Sequence, residues 1–246
     1  MTNHFHAIGF PVFSQEDFVK LAQMTYEKGQ QISTSKGKYI FWNVGNGIEL
    51  WGQLDLEGHF VGLNPHFSGR SRLSMGLTRK VGSEGEDLDG AYYAWAGAQS
   101  GPEDGEYPLL FDCPDFLVHS RMMLPSIHRV QVAAFAHELK VFSDEQHYNT
   151  SKETGPAFAT ESFISSGLFG ETEQPYGMFT GIVQHVFTIT NPVTQESFHH
   201  ALVKTLGGEY DVIIHPDLLY TDLQAGNIVQ GTFWLTGKIL GNQIIL

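Results

Sequence analysis

From Gly37 onward the chain is a succession of short runs rich in aromatic and β-branched residues, each closed by glycine or by acidic and polar turn residues: 38–44, 47–55, 59–67, 72–81 and 90–96. The same texture returns at 108–112, 130–142, 179–190, 196–206, 210–215 and 228–240. Strands this short and this evenly spaced pair with sequence neighbours more readily than they feed parallel crossovers. The expected class is therefore α+β and predominantly antiparallel β, a meander or partly open barrel. Asn46-Gly47 marks a hairpin, because both residues tolerate positive φ. In the last run Val229, Gly231, Phe233 and Leu235 alternate with Gln230, Thr232, Trp234 and Thr236. That period of two predicts a strand with one apolar face buried.

One helix precedes the strands. Ser14 is placed to cap it, Asp17 sits where a capping box needs an acid, Phe13 and Phe18 are spaced as a hydrophobic staple, and Gly29 supplies the stop. Phe18, Leu21, Ala22 and Tyr26 form an apolar stripe at spacings of three and four, enough to lay the helix on a sheet. With 246 residues, no fixed repeat and no linker between distinct halves, the chain reads as one β-rich body over 1–246. The loose stretch between residues 145 and 178 is where it would divide into 1–145 and 178–246.

Apolar residues make up 41% and charged ones 17%, with 18 Phe, 9 Tyr and 4 Trp, which argues for a packed core. The formal charge of −13 repels phosphate backbones and anionic lipid, so neither nucleic acid nor a membrane is an expected partner. Arg70, Arg72, Arg79 and Lys80 are the one cationic cluster, and they read as a solvated strand face. Cys113 is alone, so no intrachain disulfide forms. With no basic-then-apolar leader and no apolar run near the ~20 residues of a membrane span, the expected compartment is the cytoplasm. The sequon Asn149-Thr150-Ser151 has no secretory context to give it meaning.

The opening segment carries the clearest metal chemistry. If residues 4–10 are a strand, His4 and His6 project from one face and can share a metal, with Glu49 of a later strand adding an oxygen. The order of ligand-bearing strand, helix and strands ending in Gly47-Ile48-Glu49-Leu50 resembles one βαβββ module of the vicinal oxygen chelate superfamily, over about a fifth of the chain. That resemblance implies a divalent metal held by His4 or His6 together with Glu49, acting as a Lewis acid.

Other chemistries lack their residues. There is no G-x-S-x-G elbow, P-loop or G-x-G-x-x-G fingerprint. His137-Glu138 lacks the second histidine of a zincin, because position 141 is Val. The carboxylates beside Cys113 disfavour a thiolate. The acidic stretches 84–90 and 103–106 read as solvated turns, and His199 and His200 point to opposite sides of a strand. The leading expectation is a small-ligand or protein binding module without a complete catalytic constellation. The alternatives are a divalent-metal enzyme of chelate type and a subunit that self-associates through an exposed sheet edge.

Overall fold

The structure, a computed structural model, describes residues 3–82, 88–151, 159–166 and 174–240. The chain opens not on a strand but on a single helical turn, α1 (His4–Ala7), capped by the Asn3 side chain, which accepts from the His6 amide. Gly9 takes φ +78° and the Phe10 amide returns to the Phe5 carbonyl, so the backbone coils where a strand was expected. The spacing of apolar residues is satisfied by a compact turn that buries Ala7, Ile8 and Phe10.

The next element, α2 (Gln15–Lys28), follows the sequence closely: Ser14 and Asp17 form the capping box and Gly29 ends the helix. Its buried residues are Leu21, Ala22 and Thr25, whereas Tyr26 is exposed. The staple is re-partnered. Phe13 is solvent-exposed and meets the His6 ring, while Phe18 packs edge-on against Phe5. The turn of α1 supplies the apolar surface that the staple would otherwise provide.

Four antiparallel strands follow as a meander: β1 (Gln30–Thr34), β2 (Gly37–Gly45), β3 (Ile48–Leu54) and β4 (Phe60–Phe67). Asn46 at φ 53° and Gly47 at φ +85° turn the β2–β3 hairpin as its sequence requires. With two helical segments ahead of four strands, the βαβββ order of a chelate module is not the order of this layer.

The remaining strands form a mixed sheet: β5 (Leu73–Gly82), β6 (Gly90–Ala96), β7 (Tyr107–Asp112), β8 (Ser126–Phe142), β9 (Ser162–Ser165), β10 (Tyr176–Thr190), β11 (Ser197–Thr205), β12 (Gly208–Ile214) and β13 (Ile228–Ile239). A short helix, α3 (Glu145–Thr150), follows β8. The long β8–β13 ribbon belongs to two closed circuits, one through β5, β6 and β7 and the other through β12, β11 and β10. Closure needs two parallel pairings, β12 with β8 and β7 with β13, and it removes most free edges.

Alternation decides what lies inside. Val130, Val132, Ala134 and Ala136 of β8, with Val229, Phe233 and Leu235 of β13, join one interior core with Tyr92, Phe111, Phe179 and Tyr210. The opposite face of β13 is also buried, which a half-buried strand would not show: Trp234 and Thr236 are covered by the N-terminal layer. Ala133, Phe135, Phe198, Ile213 and Trp234 on the outside of the barrel pack with Leu21 of α2, with Ile48 and Leu50 of β3, and with Ile8 and Phe10. Burying a large apolar side chain in this layer contributes about 1.5–3 kcal/mol. The layer is thereby fixed to the barrel along that junction.

Candidate functional site

Along the junction, polar residues replace apolar ones at a few outward positions of the barrel. Asp211 lies on β12, in the otherwise apolar run Val212-Ile213-Ile214, and is fully buried. His200 is its diagonal neighbour on β11, where His200 pairs with Ile213 and Leu202 with Asp211. His200 Nε2 lies 2.8 Å from Asp211 Oδ1. The carboxylate also accepts from the Arg70 amide at 2.8 Å, the Ser71 amide at 2.9 Å and Gln131 Nε2 at 2.8 Å. Gly69 makes this cradle feasible, since a Cβ there would stand 2.1 Å from Asp211 Cγ. Burial by itself would raise the Asp211 carboxyl, but the bonds from His200, Arg70, Gln131 and Ser71 outweigh it and hold the group below the usual carboxylate range.

An ionised Asp211 accepts only, so the proton in its bond to His200 belongs to Nε2. In the neutral ring Nδ1 is then a bare acceptor, and it has no hydrogen-bond partner among the described residues. Gln131 is oriented in the same way, because its Nε2 donates to the Phe67 carbonyl and to Asp211. Its Oε1 must therefore accept from His66 Nε2, at 2.8 Å. His66 is left with a bare Nδ1 facing the Thr236 hydroxyl at 3.2 Å. His66 is wholly buried, and burial favours its neutral form.

His200 forms one wall of a groove of about 540 Å³, within the usual size range of small-molecule sites. Phe187 is opposite His200 in the β10–β11 pairing and stacks on it at 5.5 Å and 20°. The Arg70 guanidinium lies over the same phenyl ring, its carbon 4.3 Å from the ring centre. Arg70 is solvent-exposed and makes no ion pair with a described residue. Ser68, Thr188 and Thr190 add hydroxyl groups, and Asn46 ties the β2–β3 hairpin to the Thr190 carbonyl at the rim. A cation on an aromatic shelf, beside an imidazole whose Nδ1 accepts when the ring is neutral, can bind an anion that also carries a hydrogen-bond donor.

No match came from comparison with protein-family models, curated proteins or solved structures.

A second, smaller cavity of about 170 Å³ lies at the other end of the junction, between Asn64, Asp89, Asp112, Cys113 and Thr236. Asp89 accepts from Gln53 and Asn64, and Asp112 accepts from the Trp234 indole at 2.6 Å. Burial is the main reason the Asp112 carboxyl rises to about 6, with Asp89 adding to it against the Trp234 bond. Cys113 is buried and donates to Asp115. Burial is also the first cause that raises its thiol, ahead of the neighbouring carboxylate to which the sequence pointed.

The three residues singled out as metal ligands have separate surroundings. His4 stacks on Trp234 at 3.9 Å and meets His137, with Nε2 atoms 2.9 Å apart. His6 packs on His215, ring centres 4.1 Å apart, and on Phe13. They lie on a helical turn, so the shared strand face on which their pairing depended does not form. The Glu49 carboxylate is engaged by Lys238 Nζ at 2.9 and 3.1 Å and by the Trp51 indole at 3.1 Å. Among the described residues, no group of three or more His, Cys, Asp or Glu is arranged to hold a metal ion.

Most of the acidic stretch 84–90 lies outside the described residues. In 103–106, Asp104 caps a turn by accepting from the amides of Gln99, Ser100 and Gly101. No helix among the described residues is long and apolar enough to cross a membrane. Sequence reasoning treated His200 only in relation to His199 and Arg70 only as part of a solvated run. The available signal was Asp211, a charge set against the apolar end of its strand, Val212-Ile213-Ile214, which burial obliges to find donors.

Proposed function

We propose that the protein is a small-ligand binding module whose ligand is an anion held in the groove between Arg70, Phe187 and His200. The observation that carries this reading is the Arg70 guanidinium, laid on Phe187 without an acidic partner among the described residues while its own backbone amide holds Asp211. A structural arginine at a junction this rich in carboxylates would be expected to pair with one. The overall charge of −13 does not oppose the reading, since in ~0.15 M salt fields decay over about 8 Å and the nearest cation dominates a small ion. Phe67, Phe187 and Ile189 offer the apolar wall that a ligand of more than a few atoms requires.

Titration calorimetry with phenylacetate, which joins a carboxylate to an apolar ring, tests the reading. Binding is expected at neutral pH and at least tenfold weaker in Arg70→Ala, whose exposed side chain can be removed without opening the core. Equal heats in both proteins, or no heat in either, would dismiss the groove as an anion site.

A further inference from the structure

We infer that His200 selects the ligand's class: the groove takes a hydroxy-carboxylate with an apolar body, its carboxylate on Arg70 and its hydroxyl donating to His200 Nδ1. This rests on the anion-binding reading above and adds the part of the ligand that a cation alone cannot specify. The hydroxyls of Ser68, Thr188 and Thr190 can rotate to donate or accept, so they impose little choice. His200 is different because the direction of its hydrogen bonds is set from behind. Four donors converge on the Asp211 carboxylate, Nε2–H is one of them, and Asp211 is fully buried within that ring of donors.

A carboxylate without a hydroxyl offers the Nδ1 of the nearly buried His200 no donor and can set a second acceptor against it, which is unfavourable. A ligand hydroxyl satisfies it. The ring cannot turn to present its other nitrogen without breaking the bond to Asp211, and Phe187 and Phe67 pack against it.

The test uses the intact protein and three probes of nearly equal size: phenylacetate, mandelate with a hydroxyl beside the carboxylate, and 4-hydroxyphenylacetate with one at the far end. At least one hydroxylated probe is expected to bind about tenfold tighter than phenylacetate, the worth of one well-made hydrogen bond. That advantage should vanish in His200→Phe, which keeps a ring against Phe187 but has no Nδ1, so that the three probes no longer differ in their affinity for the variant.

Should His200→Phe fail to fold, nitrogen NMR of the wild-type protein decides. The proton is expected on His200 Nε2 in the free protein, with the Nδ1 signal moving when the hydroxylated probe binds. Phenylacetate binding with no gain from either hydroxyl, or a proton found on Nδ1 in the free protein, overturns this inference and leaves the anion reading intact. If none of the three probes binds, both fall together.

Discussion

Thr236 and His200 stand at opposite ends of one hydrogen-bonded chain, Thr236 in the wall of the Asp112 cavity and His200 in the wall of the Arg70 groove. The links run from the Thr236 hydroxyl to His66, from His66 to Gln131, and from Gln131 to the Asp211 carboxylate that also holds His200. Each joint has a direction determined by its neighbours. The chain crosses the junction between the N-terminal layer and the barrel, so docking of the layer and orientation of the imidazole depend on the same bonds.

Gln131→Leu should be among the most damaging single changes at the junction. It leaves His66 Nε2–H without its acceptor and removes donors from the Phe67 carbonyl and Asp211. Unsatisfied buried groups cost about 1–3 kcal/mol each, so a loss of about 3 kcal/mol is expected in urea unfolding. A loss below ~1 kcal/mol would mean that water replaces the amide and that the chain is not a structural unit.

The Glu49–Lys238 pair should show strong coupling. Both side chains are largely buried, and Lys238 lies over the Phe41 and Trp51 rings. Glu49→Gln or Lys238→Met alone strands the partner's charge and should cost about 3 kcal/mol, whereas the double variant should recover much of it. Additive losses in the double-mutant cycle would contradict this pairing.

Acid should weaken the docking of the N-terminal turn. Burial first, and then the His137 ring, push His4 down to about 4 from its ordinary 6.5. The folded state therefore binds fewer protons than the unfolded chain between these values, and this contribution is complete above pH ~6.5 and lost as the pH falls towards 4. His66 and His137 shift in the same direction, chiefly through burial. Asp112, raised to about 6, acts oppositely and favours the fold as the pH drops below that value. His4→Leu should lose about 2 kcal/mol less than wild type between pH 7 and 4.5, read from denaturation midpoints. Parallel pH profiles for the two proteins would show that His4 is not a source of the acid sensitivity.

Cys113 should resist alkylation in the native state. Burial raises its thiol and Asp115 reinforces the shift, so little thiolate forms and none is accessible. Iodoacetamide at neutral pH is expected to modify the protein only at its unfolding rate, followed by intact mass. Rapid labelling under native conditions would require the loop 113–115 to open.

The local elements were legible because they depend on neighbours in sequence. The capping box of Ser14 and Asp17, the Asn46-Gly47 hairpin and the alternation through β13 each follow from a few adjacent side chains competing for backbone groups or for one face of a strand. The α+β, largely antiparallel class followed from the same signals. Residues 4–10 were misread because a two-residue apolar spacing does not distinguish a strand from a capped turn when only Asn3 and Gly9 differ from strand expectations.

What the sequence by itself determined, then, was which segments are strands and where they turn; which strands close on which was decided by the tertiary structure. Closure brings β12 beside β8 and sets Asp211 against Gln131, 80 residues away, while the covering layer removes the water that would otherwise solvate them. Only in that dry junction does a lone Asp need four donors, and only there does His200 acquire a fixed direction. The chemistry of the groove comes from desolvation at a contact between distant strands, and no local pattern records such a contact.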